Sequence, residues 1–154
     1  MADLRWEDHA GWLLDPGRDG WLPGGGIAGT TVGDWQALLD LVVERGWERL
    51  FLVGCFEMAL PSAEVLSWPR AGAARPVLSV RPGSGVGVVF RFGGAERIDF
   101  DVDVEQLRGQ EGLDVLCGFL AAVGRRLGRS VPTYAEGTTP FLGYDLAADR
   151  VRVR

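Results

Sequence analysis

Residues 86–104 read VGVVFRFGGAERIDFDVDV, and their alternation decides the fold. Val86, Val88, Phe90 and Phe92 share one face; after Gly93-Gly94, Ile98, Phe100, Val102 and Val104 share another. A period of two with aromatic and β-branched residues on one side predicts a half-buried antiparallel hairpin. Pairing must bring both apolar sets to the same face, so the numbers of opposed residues sum to an even value. That excludes a two-residue turn at Gly93-Gly94 and leaves a connection of three or five residues. The five-residue form sets Phe90 opposite Phe100 and Arg91 opposite Asp99, favourable on both faces, and is the register expected. The polar face then carries Arg91, Arg97, Asp99, Asp101 and Asp103.

Outward from the hairpin, the other elements announce themselves by period and punctuation. Thr30 or Thr31 can cap a helix over 32–45, in which Trp35, Leu38, Leu39 and Val42 recur at helical spacing and Gly46 is the stop. RLFLVGCF, 49–56, is an apolar run that reads as one buried strand, and Ser62 and Pro69 bracket one or two helical turns over 62–67. PVLSV, 76–80, joins the hairpin through PGSG, 82–85. A second long helix over 111–127 puts Leu113, Leu116, Cys117, Leu120 and Leu127 on one stripe, widened by Val115, Phe119 and Val123, with Gly128 ending it. Arg125 and Arg126 suit the negative end of its dipole. Short strands follow at 131–136, 140–145 and 149–153. The fold class is therefore α+β: a single domain whose mainly antiparallel sheet (strands near 49–56, 76–80, 86–92, 97–103, 140–145 and 149–153) packs against two main helices, 32–45 and 111–127. Residues 1–30, rich in Trp, Asp and Gly, read as an arm packed on the domain formed by 31–154.

The length of 154 residues suits one core. All 16 basic residues are arginine, and neither lysine nor asparagine occurs. Without lysine the chain cannot build a Walker-type phosphate loop, a Schiff base or a lysine-activated serine. The formal net charge of -5 argues against nucleic acid as a partner and for a basic protein. Cys55 and Cys117 lie in the apolar contexts VGCFEM and VLCGFL and read as small core residues of a reducing compartment. The N-terminus has no basic and apolar leader pattern, and no run reaches the length of a membrane span, so the expected location is the cytoplasm.

Several motifs invite chemistry and are set against plainer readings. Asp99, Asp101 and Asp103 spell the opening of a calcium loop, but Val104 stands where its glycine belongs and Gln110 where its glutamate belongs. The stripe is thus a metal site, a ladder answered by Arg150, Arg152 and Arg154, or an acidic face open to a partner. GGGIAG, 24–29, matches a dinucleotide fingerprint, yet Pro23 stands where a hydrophobic strand should run in, so it reads as a flexible turn. GSG, 83–85, is a hairpin connection, because Pro82 fills the first glycine position of a nucleophile elbow. His9 is the only imidazole and reads as a surface residue beside Asp8. No catalytic residue, metal site or cofactor is expected. Trp35 and Trp47 read as core, while Trp12 and Trp21, with Trp6, are candidate interface anchors.

TVGDWQALLDLVVERGW, then LPSAEVL, then RIDFDVDVEQLRGQEGLDVLCGFLAAVGRRLG resemble a group of uncharacterised actinobacterial proteins that are similar to immunity proteins of polymorphic toxin systems. The likeness covers residues 30–150 and lies in overall pattern, so no family residue is transferred. It implies a small acidic protein that binds one toxin and blocks its active site. The expected function is a non-enzymatic protein-binding module using Asp99, Asp101, Asp103, Trp12 and Trp21. A small-molecule-binding domain, a carboxylate-based enzyme in a cleft between sheet and helices, or a structural subunit are the alternatives.

Overall fold

Phe90 stands opposite Phe100 and Arg91 opposite Asp99, the register that shared apolar faces require, across a connection formed by residues 92–96. In this computed structural model, residues 4–5, 7–8, 24–68, 75–83, 85–103, 109–135 and 139–153 are described. The elements run β1 (Gly24–Ala28), α1 (Val32–Glu44), β2 (Glu48–Val53), β3 (Phe56–Met58), α2 (Ala63–Leu66), β4 (Pro76–Gly83), β5 (Val86–Arg91), β6 (Arg97–Val102), α3 (Gly109–Leu127), β7 (Val131–Ala135), β8 (Thr139–Asp145) and β9 (Arg150–Val153). The strands form one nine-stranded sheet in the order β3-β2-β4-β5-β6-β1-β7-β8-β9, antiparallel at each pairing. The chain is an α+β protein with one core.

Both long helices lie against the apolar face of this sheet. Thr31 caps α1 through a capping box: its hydroxyl accepts from the Asp34 backbone N–H, and the Asp34 carboxylate accepts from the Thr31 backbone N–H. These bonds satisfy N–H groups that a helix start leaves open. Trp35, 1% exposed, then fixes α1 to the sheet: its indole N–H donates to the Arg97 carbonyl at 2.9 Å. Its ring meets Phe92 edge-on at 4.9 Å. Gly46 leaves the helix at φ 64, a conformation glycine adopts without a Cβ penalty. Arg126 ties the end of α3 to Glu44 of α1, and Arg129 reaches Asp34.

The broad stripe of α3 is buried as its width demands: Leu113, Leu116, Cys117, Phe119, Leu120 and Val123 all face inward. Phe119 completes a triangle with Phe90 and Phe100, the three centroid separations being 5.6, 6.0 and 5.8 Å. Such ring pairs contribute about 0.5–1.5 kcal/mol each beyond their buried area. Trp47 lies half-buried against Phe119 at 5.7 Å.

Three expectations change. GGGIA is a strand, β1, between β6 and β7, and not a turn. Glycine disfavours strands, and the compensation is contact: a Cβ on Gly25 would lie 2.1 Å from Cζ of Phe100, so the ring packs directly on backbone. The run 49–56 is two strands, not one, broken at Gly54-Cys55, with Val53 opposite Phe56. Gly54 has φ 63, the positive value required at the first position of a two-residue hairpin turn. Cys55 is consequently exposed at the turn and not part of the core, whereas Cys117 is buried as expected. Of the alternatives for the aspartate stripe, the internal ladder falls, because the C-terminal strand does not lie beside 97–103. β1, β7 and β8 separate β9 from β6, because 131–153 builds its own meander at the far side of the sheet.

Candidate protein-binding face

The alternation that buries Phe90, Ile98, Phe100 and Val102 necessarily turns Arg91, Arg97, Asp99 and Asp101 to the opposite face of the sheet. Asp103 continues that side just past β6, half-buried, with its backbone N–H bonded to the Gly87 carbonyl. α1 and α3 both pack on the other side, so the described helices leave these residues uncovered.

The stripe is answered locally. Arg91 pairs with Asp101, diagonally across the hairpin and not with Asp99 directly opposite. Arg97 pairs with Asp99 two residues along the same strand, at 3.0 Å. The two carboxylates turn to two different arginines instead of converging as ligands of one cation would. Arg150 and Arg152 belong to β9, too far across the sheet to form the alternative ladder; Arg152 instead pairs with Asp145 at 2.7 Å. The Asp99 side chain remains 50% exposed and the Asp101 side chain 28%, so both carboxylates are accessible from solvent.

The glycine strand explains how these side chains lie. Gly24 stands opposite Asp101 and Gly26 opposite Asp99. A Cβ on Gly26 would meet the Asp99 carboxylate at 2.9 Å and the Arg97 guanidinium at 3.1 Å. Three consecutive glycines thus lie against three consecutive side chains of β6: Gly26 makes room for the Asp99 and Arg97 groups and Gly25 for the Phe100 ring beneath, whereas a Cβ on Gly24 would meet Asp101 at an ordinary 3.4 Å. On the far side of β1, Tyr134 faces Gly24, and its proximity adds to the effect of Asp99 in holding the Arg97 pKa above its ordinary value, where the Asp99 hydrogen bond is the leading cause. Neighbouring strands are about 4.8 Å apart. Asp101 and Tyr134 therefore stand about 10 Å apart on either side of β1, with the Asp99 and Arg97 side chains lying over Gly26 between them.

Of the residues expected to act here, the structure assembles Asp99, Asp101 and Asp103 on one face. Trp12 and Trp21 lie outside the described residues, as do Trp6, His9, Val104 and Arg154 and most of the expected arm 1–30. Trp68, which sequence reasoning passed over, is 58% exposed, and Phe56 and Met58 on the short edge strand β3 are 72% and 54% exposed. The local partners Arg91 and Arg97 were visible as members of the same alternating face. The role of β1 was signalled only by three glycines preceding an apolar pair, which punctuation rules read as a loop. No described helix is long and apolar enough to cross a membrane. Comparison with family models, curated proteins and solved structures gives no match, so what the site does is argued from its geometry.

Proposed function

We propose that this chain is a non-enzymatic protein-binding module whose partner, a basic protein, docks on the outer face of the sheet around Asp99, Asp101 and Asp103. The observation that carries the reading is the accessible pair of carboxylates lying over the glycine strand, on the side away from α1 and α3. Exposed ion pairs such as Arg91 with Asp101 contribute about 0–1 kcal/mol, so cations of a partner can take over the carboxylates at little cost. Charge complementarity of this kind accelerates association and selects the partner more than it adds affinity. The resemblance to immunity proteins supplies the partner class, a toxin whose active site the bound module blocks, and the acidity of this face implies that the toxin's docking surface is basic.

The test combines recovery and kinetics. A partner crosslinked to the wild-type chain in its native cells is identified, purified and bound to the wild type and to the Asp99→Arg/Asp101→Arg variant at low and high salt. Association at least tenfold slower for the variant, with the wild type slowing as salt screens the face, supports the reading. In addition, co-expression of the wild type and not of the variant should relieve toxicity of the partner. Equal association of variant and wild type at low salt overturns the reading.

A further inference from the structure

On the helical side of the sheet, remote from the charged face, α3 borders a cleft of about 310 Å³ whose other walls are the C-terminus of α1 and the turn between β8 and β9. This volume lies at the lower end of the range for small-molecule sites. Its rim is basic on an otherwise acidic chain: Arg45, Arg125 and Arg150 line it with Asp114 and Asp149.

The arginines divide into one that is spent and two that are available. Arg125 donates to Asp149 at 2.8 Å, and Tyr144 donates to the same carboxylate oxygen at 2.5 Å. Asp149 holds this position with φ 51, a left-handed conformation that non-glycine residues adopt uncommonly, so the turn is fixed as a wall. Arg45 and Arg150 make no ion pair among the described residues. At the other end, Asp114 accepts from Gln110 at 2.8 Å. Gln110 is neutral, so Asp114 keeps its charge; three arginines against two carboxylates leave the cleft with one net positive charge.

A second observation concerns Gly118 in the floor. Glycine inside a helix is unfavourable relative to alanine, and packing justifies it elsewhere in α3: a Cβ on Gly124 would strike the Tyr144 ring. At Gly118 a Cβ would meet nothing within 4 Å. No contact within the described fold requires this glycine, and what it preserves is the open space of the cleft.

We propose that this cleft is a binding site for a small organic oxyanion, a phosphomonoester or carboxylate with a short apolar body. Arg45 and Arg150 take the oxyanion through charge-assisted hydrogen bonds, and the apolar body rests on the helix floor at Gly118, Ala121 and Ala122. The site is independent of the protein-binding reading and is tested without any partner.

The probes are phenyl phosphate, benzoate and inorganic phosphate, titrated calorimetrically into the purified full chain. Two variants accompany the wild type: Arg45→Gln/Arg150→Gln removes the charge, and Gly118→Leu fills the floor. Phenyl phosphate, benzoate or both should bind the wild type at millimolar concentration or below, and more tightly than inorganic phosphate; which of the two binds better identifies the oxyanion. Both variants should weaken that binding at least tenfold. Gly118→Leu should raise the melting temperature by about 2–4 °C, since leucine is the better helix former and its Cβ meets nothing within 4 Å. Absence of binding to the wild type, binding that survives both variants, or inorganic phosphate binding as tightly as the organic probes overturns the proposal. So does a Gly118→Leu variant that melts below the wild type, which would mean that the chain itself fills the cleft.

Discussion

Replacing Gly25 by alanine adds one methyl group at the most crowded backbone position of the sheet. The new Cβ would lie 2.1 Å from Cζ of Phe100, a side chain 2% exposed and held by Phe90 and Phe119 at 5.6 and 5.8 Å. The ring has no free direction, so either it tilts off its partners or β1 lifts away from β6. Overpacking of a filled core costs about 1–3 kcal/mol, and disturbing two aromatic contacts adds about 0.5–1.5 kcal/mol each. The reduced freedom of the unfolded chain returns about 0.4–1 kcal/mol. The expected net loss is about 3 kcal/mol, within limits of about 1 and 6, read from urea unfolding with an unchanged dependence on denaturant. Gly24→Ala is the internal control, because its Cβ would meet the Asp101 carboxylate at an ordinary 3.4 Å; it should change stability by no more than about 0.5 kcal/mol. Gly25→Ala/Phe100→Leu should recover part of the loss by shrinking the ring. A loss at Gly25 below about 1 kcal/mol, or equal losses at Gly24 and Gly25, would refute the argument that the ring dictates the glycine.

On the outer face, Asp101→Arg should cost about 1 kcal/mol by unpairing Arg91 and setting like charges together; Arg91→Asp added to it should restore the midpoint, whereas Arg152→Asp should not, and the reverse pattern would contradict the pairing. In the turn between β8 and β9, the Tyr144 hydroxyl and then Arg125 hold the Asp149 carboxyl below its usual range. A carboxyl depressed in the folded state contributes stability that is complete above the unfolded value near 3.9 and is lost as pH falls through the folded pKa. Asp149→Asn keeps an acceptor and tolerates the left-handed backbone, so its deficit relative to wild type at pH 7 should shrink as the pH is taken below about 4; a deficit independent of pH would refute the linkage.

The sequence was most legible where one face of an element is uniformly apolar. The period of two across 86–102 excludes any slip by one residue, which would turn one strand's apolar set out of the core, and the pairing of Phe90 with Phe100 and Arg91 with Asp99 selects the five-residue connection. The caps at Thr31 and Ser62 and the glycine after each long helix set boundaries to within two residues of those observed. Legibility failed where the deciding contact is distant along the chain. Nothing local to Gly24–Gly26 reports that Phe100, Asp99 and Asp101 will lie over them. Gly54 signals a turn by its backbone alone, but the apolar residues on both sides masked it. The face was visible as charge, although its pairing was not: alternation places Arg91, Arg97, Asp99 and Asp101 on one side without saying which arginine each carboxylate prefers. The cleft beside α3 left no trace in periodicity, because Arg45, Gly118 and Arg150 come from three elements that only the assembled sheet brings together.

The position of β1 also bears on the order in which the molecule is made. Gly24 pairs with Asp101 on one side and Tyr134 on the other, so the strand leaves the ribosome long before either neighbour exists. At about 5–20 residues per second it waits several seconds for both. β4, β5 and β6 follow one another closely and can pair as they emerge, as can β7, β8 and β9, while β1 can join β6 only once 97–102 has emerged and is closed on its other side only when β7 follows. A strand of β-branched residues left waiting would offer its unpaired edge to neighbouring nascent chains. Three glycines in a row have little tendency to pair with the wrong partner, which keeps the insertion of β1 dependent on the Phe100 ring that receives it.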